Sequence, residues 1–505
     1  MHVGQASYST VVLPPMFENL NWETFQLLEK FIYGGGKLII FNDPTLLDGS
    51  ESEEVKRIFA KYTSAIFKLK DYSEENINKY FNNKNLKFEG MTGGSIYHHR
   101  RMLSDGQIIF LANSSLTEKA NGSIITKGKD VLEMNTLTGS ISGYPNEGND
   151  ENVTLSYSIP PAGSLLLFIP YSKLSGYTIP VKPESTVAVL PTVPMKVTRN
   201  EENVLMIDFC DLKVGTDSVK DLNTYYAADK VYKYYGFKNG NPWNTSVQFK
   251  RNITDRDTFK VPSGFTATYH FPVKGKFDFS SFKAVVERTN LWTVEVNGTE
   301  VKPDSSVWWL DRSFSVLNIG SLIRTGDNRI ALKTSPMKIH AEIEPVYILG
   351  NFSVNPFEKG WEIGEPLQNY TQGSWKTQGL PFYSWGITYS EEFTVASAEG
   401  NWEVALGKWN GTVAEVKVNG TQAPLIAFPP YQSEISQLIR PGINKIDVTV
   451  IGSLRNLLGP HHNNPRPGFV SPWIWRNVKS YPAGKDYSLV DYGLFGEFTL
   501  LHGIQ

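Results

Sequence analysis

The sequence predicts a multidomain protein in which an open α/β domain is followed by a β-rich segment and two tandem jelly-roll β-sandwiches. Two observations lead to this prediction. The first hundred residues show a strand–helix–strand pattern, and a motif from Val294 to Thr299 returns from Val416 to Thr421. The chain has 505 residues, which is room for several domains of about 100–200 residues each.

Residues 1–95 form the predicted α/β domain. Short continuous apolar runs, typical of buried strands, alternate there with segments whose apolar residues recur at helical spacing. A glycine run ends the first of these helical segments, and the order is that of a βαβ unit with a parallel sheet. The expected elements, in order, are a strand over 8–13, a helix over 22–33, a strand over 37–41 and a second helix over 52–63.

Residues 96–179 form a predicted β-rich segment, and residues 180–200 a connector. In the β-rich segment, two strand-like stretches flank Asp105-Gly106, a dipeptide typical of hairpin turns. In the connector, four prolines and little periodicity predict an extended, fairly stiff chain.

The internal repeat divides the remaining chain into two predicted jelly-roll sandwiches, 201–350 and 351–505. Each copy contains Val-x-Val-Asn-Gly-Thr, followed by Leu-Ile-Arg and then Gly-x-Asn before a last strand. Asn-Gly between alternating apolar and polar residues favours a type I′ hairpin, because both central residues of that turn need positive φ. Two antiparallel sandwiches in tandem explain the spacing of the copies.

Composition argues against several classes of partner. Lys and Arg number 49 against 51 for Asp and Glu, and a net charge of −2 gives no field to gather nucleic acid or an anionic membrane. The best apolar run, 165–169, has the length of a strand and not of a membrane span. The single cysteine, Cys210, excludes an internal disulfide and is expected to be a buried strand thiol. No signal peptide is visible, and the compartment stays open.

The repeat resembles the galactose-binding-like jelly roll, the sugar-binding module of family 2 glycoside hydrolases and their relatives. The segment Gly452 to His462 resembles the C-terminal region of α-L-rhamnosidase-like enzymes of glycoside hydrolase family 106 and its neighbours. Residues 8–41 are similar to the glutamine-amidotransferase-like domain that such enzymes carry after their catalytic barrel. The resemblance implies a carbohydrate-related function.

The resemblance also implies a catalytic (β/α)₈ barrel N-terminal to this region, and such a barrel needs about 250 residues. Because the first predicted strand begins at Tyr8, we expect the barrel to be absent from this chain, and no catalytic carboxylate is carried over. The amidotransferase-like domain contains no cysteine, so its ancestral nucleophile is missing as well.

Aromatic side chains are the predicted sugar contacts, because Trp and Tyr rings cover the C–H faces of a sugar while neighbouring polar groups bind its hydroxyls. The alternative for any one tryptophan is a place in a sandwich core or at a domain interface. The candidates are Trp308, Trp309, Arg312, Trp375, Tyr383, Trp385, Trp409, Trp473 and Trp475.

Three further pairs of polar residues have side chains of the kinds that serve catalysis or metal binding. We expect ordinary ion pairs or solvated carboxylates at the two acidic pairs, and a hydrogen-bonded loop at the histidine pair. No catalytic acid–base pair, no metal site and no cofactor is therefore predicted. The pairs are Glu342 with Glu344, Asp208 with Asp211, and His461 with His462.

The sequence thus predicts a non-catalytic, carbohydrate-binding or scaffold region of a rhamnosidase-like glycoside hydrolase, truncated or encoded apart from its barrel. One alternative is an assembly subunit that docks a separate catalytic barrel through an exposed apolar patch on the α/β domain. Another is a glycosidase with a site between domains. Whether the chain is an enzyme stays open.

Overall fold

The computed structural model describes all residues except 5, 74–75, 77–79, 81–84, 150, 182, 184, 463–477, 479 and 505. Most of the regular structure is strand, arranged in many small sheets, which confirms a β-rich chain of several domains. In the part of the chain so described, every helix falls short of the length and apolar character that crossing a membrane requires.

The N-terminal domain contains the predicted βαβ unit. Helix α1 spans Trp22–Tyr33 and helix α2 spans Glu53–Lys61, and the side chains of Asn21 and Ser52 cap them by accepting hydrogen bonds from amides of their first turns. Three parallel strands lie side by side in the order Thr10–Val12, Lys37–Ile40 and Ile66–Lys68. A second small sheet contains Asn19–Leu20, Leu46–Leu47 and Ser50–Glu51, and a terminal hairpin pairs His2–Val3 with Ala6–Ser7.

Residues 86–170 form a small sandwich of two antiparallel sheets, and the predicted hairpin belongs to the first of them. Facing side chains of the two sheets, among them Ile109, Ile124 and Leu155, form one apolar core. The first sheet contains Ile96–Met102, Gly106–Asn113, Ser164–Pro170, Leu132–Met134 and Ile141–Gly143. The second contains Glu147–Gly148, Asn152–Ile159, Ala120–Lys127 and Leu86–Thr92.

The first large sandwich begins at Asn203 and extends past the predicted boundary at residue 350. Ser353–Pro356 and Trp361–Gly364 pair with each other, and the latter pairs with Phe265–Lys274, so this boundary cuts through a sheet. One sheet contains Asn203–Ile207, Val346–Gly350, Lys283–Glu287, Asp311–Asn318 and Asp304–Trp309. The other contains Asp217–Asn223, Phe209–Val214, Phe265–Lys274, Gly326–Thr334, Thr293–Val296 and Thr299–Val301. Helix α3, Thr224–Tyr234, packs beside this second sheet.

The second large sandwich takes its edge strands from the segment predicted to be a connector. Ser185–Val189 and Lys196–Arg199 each pair with one of its sheets. Along the sequence, the first sandwich is therefore inserted between two parts of the second. The prolines of this segment lie outside the two strands, where no ladder hydrogen bond is needed. One sheet contains Ser185–Val189, Phe498–Ile504, Asn401–Leu406 and Gln432–Glu434. The other contains Lys196–Arg199, Gly386–Val395, Gly442–Ile451, Val413–Val418 and Thr421–Gln422.

The two copies of the repeat fold alike. Both Asn-Gly turns have positive φ at both residues, which confirms the predicted hairpins. In each copy the turn asparagine donates through Nδ2 to a buried asparagine near the start of the last long strand. The distance is 2.8 Å from Asn297 to Asn328 and 2.9 Å from Asn419 to Asn444. The Gly-x-Asn motif therefore supplies the partner of the hairpin turn.

We expect Asn328→Ala to destabilise the first sandwich by about 2–3 kcal/mol, because it removes the partners of the Arg324 backbone N–H and C=O and one of the two acceptors of Asn297 Nδ2, which keeps its bond to the Leu322 carbonyl. Urea unfolding curves measure this change. The matched control is Asn318→Ala at an exposed strand position, which should stay within about 0.5 kcal/mol of the wild type. Equal effects of the two substitutions would contradict the prediction.

Candidate functional site

A cavity of about 400 Å³ opens on the first sandwich where it meets a segment from the end of the chain; we call it the acidic cavity. The N-terminal turn of helix α3, the end of strand Lys283–Glu287, and residues 342–347 and 457–462 form its walls. Its polar lining residues are Asp208, Asn223, Thr224, Asn241, Asn244, Glu287, Glu342, Glu344, His461 and His462.

The acidic cavity unites residues to which the sequence assigned separate and ordinary roles. Of the six residues in the three polar pairs, Asp211 is the one that does not line it, since its carboxylate lies 3.3 Å from Nε2 of His270 on a neighbouring strand. The sequence alone did not indicate that these residues meet, because folding brings positions from three distant parts of the chain together. The residues united are Asp208, Glu342, Glu344, His461 and His462.

Asp208 connects the first sandwich to the end of the chain. It stands where the chain passes from one sheet to the other, and it is only 5% exposed. The Tyr487 hydroxyl donates to Oδ1 at 2.9 Å, and His462 donates to Oδ2 in the tautomer that carries its hydrogen on Nε2. Asn223, the N-cap of helix α3, donates from Nδ2 to Oδ2 of Asp208 at 3.4 Å. Because a buried carboxylate needs donors, these contacts hold the C-terminal segment in place.

Glu287, Glu342 and Glu344 form an acidic wall beside the guanidinium of Arg288, whose Nε lies 3.3 Å from Oε1 of Glu287. The Glu344 side chain lines the cavity. Desolvation by the surrounding protein, together with the carboxylates of Glu342 and Glu287, raises the pKa of Glu344 to about 8. Desolvation also raises the pKa of Glu342 and of Glu287. At neutral pH Glu344 therefore mostly keeps its proton and can donate a hydrogen bond.

His461 adds a neutral imidazole to the wall. Burial lowers its pKa to about 4, against the opposing effect of Asp208, and its Nε2 donates to the backbone oxygen of Asn456 at 2.8 Å. Across the described residues, no three or more His, Cys, Asp or Glu side chains are grouped so that they could hold a metal ion.

Phe314 and Tyr347 form the aromatic wall of the acidic cavity, with ring centroids 6.0 Å apart. Trp309 packs behind them, 5.2 Å from Tyr347. The sequence did not single out these two rings, because each is an isolated aromatic residue in a strand. The available signal was the position of Tyr347, three residues after Glu344 at the start of a strand.

The predicted sugar-contacting rings do not gather at the acidic cavity. Trp375 and Tyr383 are 2% and 0% exposed in the core of the second sandwich, where neither ring face is open to a ligand. Trp385 packs between the cores of the two sandwiches, 5.6 Å from Trp309. These four side chains therefore follow the alternative of core and interface packing.

The remaining candidates lie elsewhere. Trp308 is exposed on the edge strand Asp304–Trp309, and Arg312 is exposed on the strand beside it. Trp409 packs edge-on against Tyr431 on the second sandwich. A sugar contact by these three stays a prediction. Trp473 and Trp475 lie outside the described residues.

Comparison with known proteins gives structural likenesses alone. No family model and no curated protein matches the sequence. The fold is similar to a rhamnosidase from Novosphingobium sp. PP1Y, with 12% identity, a TM-score of 0.43, and coverage of 98% of this chain and 33% of that one. It is also similar to the Streptomyces avermitilis α-L-rhamnosidase complexed with L-rhamnose, with 11% identity, a TM-score of 0.22, and coverage of 82% and 39%.

A third likeness is to a β-porphyranase of glycoside hydrolase family 86 from Bacteroides plebeius, with 13% identity, a TM-score of 0.15, and coverage of 68% of this chain and 63% of that one. The similar structures are thus rhamnosidases and other glycoside hydrolases, and this chain spans about a third of the first rhamnosidase's length. At TM-scores below 0.5 the likeness carries no argument about function, and we base the proposal below on the cavity.

We expect Asp208→Ala to lower the free energy of unfolding by about 2–4 kcal/mol, because it leaves Tyr487 and His462 without their buried acceptor. Hydrogen–deuterium exchange should speed up at residues 455–462 and 485–490. The matched control is Asp211→Asn, which removes the charge of a partly exposed pair with His270, keeps an acceptor for the Asp221 amide, and should cost less than about 1 kcal/mol. Similar exchange in both variants would count against the role of Asp208.

The raised pKa of Glu344 makes stability depend on pH. The folded chain holds a proton up to about pH 8, whereas the unfolded chain loses it near 4.5, so the contribution of Glu344 is complete at low pH and is lost as pH rises through 8. We expect Glu344→Gln to flatten the fall in the urea midpoint between pH 5 and pH 9. Parallel profiles of variant and wild type would refute this linkage.

Proposed function

We propose that this chain binds a neutral carbohydrate in the acidic cavity, as the non-catalytic, glycan-binding region of a rhamnosidase-like glycoside hydrolase. The observation that carries the proposal is the cavity itself, an open space of about 400 Å³ lined by carboxylates, amides and imidazoles on one side and by Phe314 with the largely buried Tyr347 on the other. Sugar sites need such convergent polar groups beside an apolar surface.

The hydrogen-bonding groups of the acidic cavity suit hydroxyls. A hydroxyl both donates and accepts, and the wall offers acceptors at Glu342 and Glu287 and a donor at protonated Glu344. Nδ2 of Asn241 donates to Oε1 of Glu342 at 2.8 Å. This bond fixes the Glu342 carboxylate in position before a ligand binds.

Charge selects against anionic sugars. Four carboxylic groups line the acidic cavity, and none of the described residues that line it is a Lys or an Arg. A uronate would place a further negative charge beside them, which costs binding free energy. The resemblance of the segment Gly452 to His462 to α-L-rhamnosidase-like enzymes makes the neutral sugar L-rhamnose the first probe.

We expect calorimetry to show binding of L-rhamnose and none of D-galacturonate. Glu342→Gln should lower the affinity about tenfold or more, because a charge-assisted hydrogen bond becomes a neutral one. Asp211→Asn, which lies outside the cavity, is the matched control and should bind as the wild type does. Equal affinities for the two sugars, or an unaffected Glu342→Gln variant, would overturn the proposal.

A second candidate function is glycoside hydrolysis at the same cavity. It is favoured by Glu344, whose raised pKa would keep the proton that a general acid must donate. This alternative predicts release of p-nitrophenol from p-nitrophenyl α-L-rhamnopyranoside, abolished by Glu344→Gln. Binding of L-rhamnose without any turnover would leave the non-catalytic proposal standing.

Docking of a separate catalytic domain is favoured by one surface of the α/β domain. Met1, Tyr8 and Leu27 are exposed around one hollow there, although each is apolar or largely so. A glycosidase partner that copurifies with the wild-type chain but not with Leu27→Asp would support this role. Equal recovery with both chains would remove it.

A further inference from the structure

A second hollow borders the acidic cavity across one hydrogen-bonded pair. Glu342, which accepts from Asn241 at 2.8 Å, lines both spaces. The second space, of about 400 Å³, is bordered by Trp243, Arg288, Asn290, Leu291 and His340 as well as Glu342; we call it the Trp243 hollow. The Asn241–Glu342 pair is thus a shared wall between two spaces that both offer polar and aromatic groups.

The Trp243 ring is fixed in position before any ligand binds. It stacks on the imidazole of His340 with centroids 4.9 Å apart and planes 27° apart, and its Nε1 donates to the backbone oxygen of Ile339 at 2.8 Å. Its backbone amide donates to Oδ1 of Asn241 at 3.0 Å, so one asparagine positions both Trp243 and Glu342. A fixed ring loses little conformational entropy when a sugar packs against it.

We propose that the Trp243 hollow is a second sugar subsite, so that the ligand is an oligosaccharide of at least two neutral sugars that crosses the Asn241–Glu342 pair. The inference rests on the proposed function of the acidic cavity. Trp243 covers the C–H face of the second sugar, and Arg288 and Asn290 donate to its hydroxyls. Glu342 accepts from both sugars, because it faces both spaces.

The proposed oligosaccharide extends from the acidic cavity into the Trp243 hollow and not to the other side of Asn241. A hollow on the other side of Asn241 contains Phe237 and Phe249, but both rings already face guanidinium groups. The Arg256 guanidinium lies 3.7 Å from the Phe237 centroid, and that of Arg251 lies 5.4 Å from the Phe249 centroid. Glu342 does not line that hollow, so a sugar there would share no acceptor with the acidic cavity.

Calorimetry on the full chain tests the subsite with two probes, L-rhamnose and an α-linked L-rhamnosyl disaccharide. The disaccharide should bind the wild type at least about ten times more tightly than the monosaccharide. Trp243→Ala should remove most of that advantage, and Asn290→Ala, at an exposed position, should reduce the advantage without a risk to folding. Phe249→Ala is the matched control and should change neither affinity.

Two results would overturn the inference while the proposed function stands: equal affinity of both probes for the wild type, or loss of the disaccharide advantage in Phe249→Ala and not in Trp243→Ala. A wild-type chain that binds neither probe would overturn the inference and the proposed rhamnose site together.

Discussion

The candidate site depends on the burial of one carboxylate, that of Asp208. Removing such a charge from water costs on the order of several kcal/mol unless donors surround it. Asp208 finds two of its donors, His462 and Tyr487, at positions 254 and 279 residues away. The end of the chain therefore has to return to the first sandwich. The adjacent residue reinforces this return, since the ring of Phe209 stacks on Tyr481 with centroids 4.0 Å apart.

Two carboxyl groups in this cavity meet burial in different ways. Asp208 is surrounded by donors, whereas Glu344 faces other carboxylates and keeps its proton instead. On one side of the cavity, the Asp208 carboxylate can only accept hydrogen bonds, and most of its lone pairs already have donors. On the other side, protonated Glu344 can both donate and accept. Such a division suits a ligand whose own groups do both, and it places the adaptable side next to the Asn241–Glu342 pair.

The elements that could be read from the sequence are those that local chemistry determines. Helix α1 begins after the cap at Asn21 and ends at the glycine run, and Asn419 turns its hairpin because asparagine tolerates positive φ. The edge strand Ser185–Val189 could not be read, because its partner comes from the end of the chain. The acidic cavity was missed for the same reason, since the distance between Glu342 and His461 along the chain hides their proximity.

The interrupted order of the second sandwich has a consequence for synthesis on the ribosome. Ser185–Val189 emerges long before its partner Phe498–Ile504, and the first sandwich emerges completely in between. The early strand must wait with an unpaired edge, a state that invites pairing with other nascent chains. Prolines at 183 and 191 lie on either side of it and cannot donate to a ladder. The prolines that look like those of a linker thus limit how far the unpaired edge can extend.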